Sequence, residues 1–204
     1  MEHNTEKAIL QAAERIFIRK GYAETRTTEI AAEAGVTHAM LHYYYRTKEK
    51  LFHQIFEEKA RILSEVFGNL SQNTEASLPD KIVAFIEAHF EFLRRNPDLP
   101  LFVLHEASHN AEHCDLLHRL VLKNLSDKLP LLQEEFDREA QVGRIVPTDV
   151  RHLIFTIATL NLGTFIAVPL IRGMYAGLSE EEIYDLRKKE IIQTILCRIK
   201  SQEA

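Results

Sequence analysis

The chain has 204 residues, 46% hydrophobic and 27% charged, with a formal net charge of −5. Two scattered cysteines, Cys114 and Cys197, exclude a disulfide scaffold and point to a reducing cytoplasm, while only 7 Gly and 6 Pro disfavour a many-turned β fold. The acidic total argues against nucleic acid as a partner, but its distribution does not: residues 1–50 carry eight Lys/Arg against seven acids, leaving −6 on the remainder.

No basic segment followed by an apolar run opens the chain, so no secretion signal is expected. The first predicted helix spans 5–20, where Ala8, Ile9, Ala12, Ala13, Ile16 and Phe17 recur at three-four spacing as one apolar stripe. Asn4 or Thr5 can cap its start, and Gly21 supplies the positive φ that stops it. Short helices follow over 27–34, with Thr25 or Thr27 as the cap, and over 37–44. A longer one starts at Thr47 and runs to about 68. The Ser/Asn/Thr-rich stretch 69–79 reads as a linker. Further helices are predicted over 80–95, 99–108, 114–142, 149–175 and 179–200. The apolar run 153–171 contains Thr156, Thr159, Asn161, Thr164 and Pro169, so it reads as a buried helix rather than a membrane span. No period-2 alternation is long enough for a strand, and there is no internal repeat.

The stretch 25–51, TRTTEIAAEAGVTHAMLHYYYRTKEKL, carries the functional signal. Two short helices meet at Gly35. Ile30, Ala31 and Ala34 on the first, with Leu41 and Tyr45 from the second, form an inner face, and the small alanines let the helices cross closely. Thr37 caps the second helix, whose outer face carries His38, Ala39, His42, Tyr43 and Tyr44. This is the pattern of a helix-turn-helix, whose second helix enters the major groove. Imidazoles and phenols can bond base edges or phosphates, and Ala39 can meet a thymine methyl. Arg46 and Lys48 flank that face, Lys48 as a phosphate partner. Thr27 and Thr28 stand where helix amides can meet the DNA backbone.

The first fifty residues resemble the TetR (tetracycline repressor) family of bacterial regulators. The resemblance is carried by Gly21-Tyr22, Thr25, Ile30-Ala31, Ala34-Gly35-Val36-Thr37, Leu41-His42-Tyr43-Tyr44-Tyr45 and Thr47-Lys48-Glu49-Lys50-Leu51. Ala39 and Met40 replace a usual Gly-Thr pair, His42 a common Tyr, and Tyr45 a Phe, so the operator cannot be copied from a relative. The resemblance implies an all-α chain of about nine helices. A helix-turn-helix DNA-binding domain over 1–50 would precede a helical ligand-binding and dimerisation domain over 51–204. It also implies a homodimer through the last two helices, double-stranded operator DNA as partner, and a small-molecule effector among the middle helices. The DNA-contacting set is then Thr27, Thr28, Thr37, His38, Ala39, His42, Tyr43, Tyr44 and Lys48. Phe85, His89, Phe92, Phe102, Leu117 and Val121 are the candidate pocket residues.

Residues 105–118, HEASHNAEHCDLLH, form a second constellation. His105-Glu106-x-x-His109 matches the zinc-protease signature formally, but Asp115 stands where an extended motif needs a third His, and no strands are predicted around it. Glu106-x-x-His109 also matches a di-iron ligand pair, but no second copy exists. His105, His109 and His113 would share a face only if one helix ran through them unbroken, which makes a divalent metal at this cluster the alternative to surface and helix-end histidines. The expectation is a cytoplasmic, non-enzymatic regulator with no required cofactor: a repressor released from a palindromic operator by a small hydrophobic effector. A metal-responsive repressor is the alternative, and a zinc hydrolase a remote one.

Overall fold

The computed structural model describes residues 2–72 and 76–200, apart from the side chains of 2–4, 64, 66–72 and 121–124. The elements are α1 (Glu2–Glu24), α2 (Thr27–Glu33), α3 (His38–Tyr44), α4 (Lys48–Gln72), α5 (Leu78–Arg94), α6 (Leu99–His109), α7 (Ala111–Leu117), α8 (Lys123–Ser126), α9 (Leu129–Gln141), α10 (Val150–Ile171) and α11 (Glu180–Ile199). A π-helical turn, His118–Leu122, joins α7 to α8, and a 3-10 turn, Arg172–Met174, follows α10. Among the described residues there is no strand, only an antiparallel bridge between Ile145 and Lys200. The fold is all-α, as expected.

The helix ends follow local chemistry. Ser77, Asn110, Asp149 and Ser179 each accept a backbone N–H of the first turn they precede, and Ser179 and Glu182 form a reciprocal capping box. Several predicted helix ends move; α1, expected to stop at Gly21, kinks there and continues to Glu24. The helix expected over 114–142 is broken, because Pro130 has no N–H to give and clashes with a preceding turn; α9 starts beside it instead. The linker expected over 69–79 is shorter: α4 continues to Gln72, and Pro79 lies in the first turn of α5, where a missing N–H costs nothing. Neither Thr25 nor Thr27 caps α2. Arg26 occupies that position, and Glu29 reaches back to its N–H at 3.4 Å.

The described residues form two compact units, 1–62 with 101–120, and 63–100 with 121–204, whereas the division predicted from the sequence falls at residue 50. The first unit extends past residue 50 because its aromatic core does. Phe52 packs against Phe17, Tyr22 and Phe56, and also against Phe102 of α6 and His113 of α7. Ile9, Ala12, Ala13, Ile16 and Phe17 are all buried, as the α1 stripe predicted.

In the second unit α5, α9, α10 and α11 surround one core. Helices α5 and α10 run side by side: Ile86 and His89 face Asn161, and the tilted rings of Phe90 and Phe165 meet at 5.0 Å. The stretch Val150–Met174 is long and apolar enough to cross a membrane by length and composition alone, so the apolar run is longer than the sequence reading allowed. One face of α10 is buried through Leu153, Ile157, Asn161, Thr164 and Val168, while Phe155 and Leu170 on another, and Met174 in the turn that follows, remain exposed.

His89 is buried in this core, and burial lowers its pKa to about 4. Because the unfolded imidazole titrates near 6.5, this contribution is complete above that pH and is lost progressively as pH falls toward 4, by roughly 3 kcal/mol in all. Urea unfolding at pH 7.5, 6 and 5 is expected to show a smaller acid loss in His89→Leu than in the wild-type protein.

Candidate nucleic-acid interface

Residues 27–44 fold as expected. Gly35 takes φ +69° at the turn, and the Val36 N–H returns to the Ala31 carbonyl at 2.9 Å, locking the two short helices together. Ile30, Ala31, Leu41 and Tyr45 are buried beneath them, and the Tyr45 hydroxyl donates to Glu6 on α1 at 3.2 Å. The Thr37 hydroxyl accepts from Met40 N at 3.2 Å and so starts α3.

This packing turns the opposite face of α3 outward. Thr28, Thr37, His38, Ala39, His42 and Tyr43 are exposed, with Tyr43 79% accessible, and Thr27 and Tyr44 are half-buried. The side chains are mutually arranged: Thr27 Oγ1 lies 3.0 Å from His38 Nε2, the His38 and His42 rings meet edge to face at 4.9 Å, and so do Tyr43 and Tyr44 at 5.4 Å. Basic groups of α1 pair with the acids of α2, through Lys20–Glu29 at 2.8 Å and Arg15–Glu33 at 3.1 Å. That removes net negative charge from beside α3. Arg26, Arg46 and Lys50 are exposed and make no ion pair among the described residues.

Lys48 is placed differently from the rest of the expected DNA-contacting set. Its ammonium donates to the carbonyls of Tyr22 at 2.8 Å, Thr25 at 3.0 Å and Ala23 at 3.4 Å, and lies 4.2 Å from the centre of the Tyr22 ring. All three of its donors are thereby committed to carbonyls at and just beyond the end of α1, and burial pushes its pKa below the usual lysine range. It acts in this structure as a clamp rather than as an outward-facing phosphate partner.

The residues beneath this clamp were not legible as a set. Gly21 takes φ +78° and ψ 165°, a region essentially reserved for glycine, and the kink aims the Tyr22 N–H at Glu106 Oε1, 2.9 Å away. Glu106 Oε2 accepts from His113 Nδ1 at 2.8 Å. The His113 ring is 1% exposed, stacked on Phe52 at 3.8 Å and edge-on to Tyr22 at 4.6 Å. The Tyr22 hydroxyl donates to Glu49 at 2.5 Å. Burial raises the Glu49 pKa, but Tyr22, His113 and His53 outweigh it and hold the carboxyl below its usual range.

His113 is therefore separated from the other two histidines. Asn110 ends one helix and caps the next, which turns His113 inward, while His105 and His109 stay exposed and stack on each other at 4.4 Å. The three-histidine face needed an unbroken helix and does not form. No group of three metal-ligating side chains is present among the described residues. Glu106, the would-be catalytic base of the HEASH motif, is buried as a structural acceptor.

The six candidate pocket residues are divided between the two units. Phe102 and Leu117 belong to the first unit, Phe85, His89 and Phe92 to the second, and the Val121 side chain lies outside the described residues. Phe85 and His89 stack in parallel at 6.1 Å. Phe85 also lines a small apolar cavity with Ile82, Leu132, Phe136, Leu153 and Ile157.

The family model described as bacterial regulatory proteins, tetR family, matches residues 9–55, the segment that builds α1, α2, α3 and the start of α4. The HTH-type transcriptional regulator RutR of Escherichia coli O157:H7 is 28% identical over 195 residues, which cover 93% of this chain and 87% of RutR. The N-terminal segment is thus that of the tetR family model, and the chain as a whole is similar to regulators of that kind. It is a DNA-binding transcriptional regulator built on a helix-turn-helix. Two solved TetR-like structures share the fold over nearly the whole chain. FadR from Bacillus subtilis, in complex with stearoyl-CoA, has a TM-score of 0.67 at 20% identity, covering 95% of this chain and 98% of FadR. A transcriptional regulator from Saccharomonospora viridis, in complex with choline, has a TM-score of 0.70 at 20% identity, covering 97% and 98%.

The kink supplies a direct test. A Cβ at Gly21 would meet Glu106 Oε1 at 3.5 Å, an ordinary contact, so the cost of Gly21→Ala lies in its backbone conformation. That substitution should lower the free energy of unfolding by about 1–3 kcal/mol in chemical denaturation, whereas Gly163→Ala, in the regular helix α10, should cost less than Gly21→Ala.

Proposed function

We propose that this protein is a repressor that binds a palindromic operator as a homodimer and is released by a small-molecule effector. The observation that carries the reading is the outer face of α3. Leu41 and Tyr45 anchor the helix from below, and Thr37, His38, Ala39, His42 and Tyr43 are left free to meet base edges and phosphates. Arg26, Arg46 and Lys50 supply the exposed positive charge that attracts DNA without regard to sequence. Lys48 serves this surface indirectly, by holding the end of α1.

A homodimer is supported by the outer face of α10 and α11. Phe155 is 68% exposed and Leu170 83%, with Met174 and Leu186 also accessible. Along α10, Phe155, Thr159, Gly163, Ala167 and Leu170 recur at helical spacing opposite the buried stripe, and Thr159, Gly163, Ala167, Ile171, Tyr175 and Arg187 line a groove of about 320 Å³. An apolar face of this kind, with small residues at its centre, suits a second copy packed helix to helix. One short recognition helix reads few bases, and two-fold symmetry doubles the site. The same pairing accounts for the membrane-length apolar helix in a cytoplasmic protein.

Effector control is supported by the bound molecules in the FadR and Saccharomonospora viridis structures, whose unlike chemistry indicates a fold that accommodates different ligands. The mechanism is a population shift: an effector that favours a dimer with recognition helices mis-spaced for successive major grooves, about 34 Å apart, lowers operator occupancy.

Fluorescence anisotropy on the DNA flanking its own gene tests the reading. Tight binding to an imperfect palindrome, weakening steeply with salt, is expected, and Arg46→Gln should reduce the slope of log K against log salt by about 1 if that side chain meets a phosphate. Failure to prefer any sequence in a genome-wide fragment selection would overturn it. Leu170→Glu together with Phe155→Glu should yield a monomer by light scattering and weaken operator binding by more than about tenfold, since the two half-sites are then bound independently.

A further inference from the structure

His113 lies in the aromatic core of the first unit with its side chain 1% exposed. Its Nδ1 stands 2.8 Å from Glu106 Oε2. An ionised carboxylate only accepts, so Nδ1 bears a proton. The other ring nitrogen, Nε2, is buried without a hydrogen-bond partner. It lies 3.8 Å from a second carboxylate oxygen, Glu49 Oε1. In the neutral ring, Nε2 is therefore a bare acceptor set against a negative charge in a site removed from water. A group in that state costs free energy, and one proton remedies it.

The groups around the ring leave that role to no other cation. On α4, Lys48 is committed to carbonyls around the end of α1 and to the Tyr22 ring. His53, also on α4 and only partly buried, holds Glu49 Oε1 at 2.7 Å. On α6, the exposed His105 places Nδ1 3.6 Å from Glu106 Oε1, beyond hydrogen-bond reach. On α1, burial and the Glu49 hydrogen bond raise the Tyr22 pKa well above its usual range, so the phenol stays neutral. Glu112, beside His113 on α7, is exposed. A charged His113 ring also suits its apolar neighbours. It stacks on Phe52 at 3.8 Å and meets Tyr22 edge-on at 4.6 Å, and an aromatic face attracts a cation.

We propose that His113 is a proton-gated positioning residue for DNA binding: its neutral ring holds Glu106 alone, and a proton gained at Nε2 closes a second contact, to Glu49. A movement of about an ångström or less turns the present separation into a hydrogen bond. Closed, the bridge joins α6 and α7 to the start of α4, and Glu49 carries the link to α1 through the Tyr22 hydroxyl. The recognition helix adjoins the same point, since α3 ends at Tyr44 and α4 begins at Lys48. The bridge closes as pH falls and opens as pH rises, and the Nδ1 contact to Glu106 persists in both states. The effect on operator affinity rests on the repressor reading above; the proton bridge itself does not.

Nitrogen-15 NMR of the full chain, with histidines labelled and the His113 ring assigned through its own backbone, reads the two nitrogens during a pH titration. The neutral ring should carry its proton on Nδ1, and Nε2 should gain the second. Glu49→Gln keeps an acceptor for the Tyr22 hydroxyl but removes the charge beside Nε2, so that second proton should be bound about tenfold more weakly or worse, a midpoint lower by about one pH unit or more. Operator affinity of the wild-type protein, by fluorescence anisotropy, should fall by about threefold or more as the ring loses the proton, and in Glu49→Gln that fall should move with the ring. His38 and His42 also charge at the DNA surface, but Glu49→Gln does not touch them, so only a fall that moves with the ring reports His113. The coupling should survive His53→Gln, which removes the rival for the Glu49 oxygen. A neutral ring with its proton on Nε2, a titration indifferent to Glu49→Gln, or an operator affinity that ignores the ring's titration each overturns the proposal. Should Glu49→Gln fold poorly, the wild-type tautomer and the coincidence of the two wild-type curves decide alone. If no DNA sequence is preferred, the repressor reading has failed, and the ring spectra still decide the bridge.

Discussion

A buried carboxylate organises the first unit. Glu106 is almost wholly removed from water, and a carboxylate in that position must have its oxygens satisfied. One oxygen takes the Tyr22 N–H and the other takes His113 Nδ1, so a single side chain on α6 ties the kink of α1 to the first turns of α7. Without Gly21 the Tyr22 amide would not face Glu106. Without the break at Asn110 the His113 ring would not reach it. The ring's place against Phe52 in turn joins this polar knot to the aromatic core. The helix-turn-helix is thus built on a base that includes residues nearly ninety positions away in sequence.

Lys48 and Glu49 extend the knot to the start of α4. Lys48 donates to three carbonyls at and just beyond the end of α1, and Glu49 receives the Tyr22 hydroxyl. These contacts are partly sheltered from water, which gives them more weight than the exposed ion pairs Arg15–Glu33 and Lys20–Glu29. A regulator needs its reading helix held in one orientation, since a small misplacement at the base is carried directly to the DNA-facing groups. The same Thr-Lys-Glu sequence that looked like a phosphate contact beside a helix cap is here a device for that rigidity.

The second unit has a different design. Its core is almost entirely apolar, and its buried polar exceptions, Lys81, His89, Asn161 and Thr164, stand on α5 and α10. The outer face of α10 carries the exposed apolar side chains Phe155 and Leu170, and the small residues Gly163 and Ala167 line a groove beside them. The two faces of α10 therefore differ: the inner one packs the core and carries the polar pair, and the outer one leaves Phe155 and Leu170 exposed.

The sequence by itself determined the local features. Hydrophobic spacing set α1, and Gly35, Thr37 and the alanines of α2 set the turn, because each acts within a few residues through backbone geometry or capping. The outward face of α3 was legible for the same reason: burying Leu41 and Tyr45 fixes where His38, His42 and Tyr43 point. Tertiary structure alone decided the rest. Whether His113 joins His105 and His109 depends on a helix break and on a carboxylate waiting in the core. Whether Lys48 meets a phosphate or its own carbonyls depends on where α1 ends in space. Asn161 showed in the sequence only as a polar interruption of an apolar run. Its meaning comes from Ile86 and His89, more than seventy residues earlier, since long-range pairings of single side chains leave no period or spacing to read.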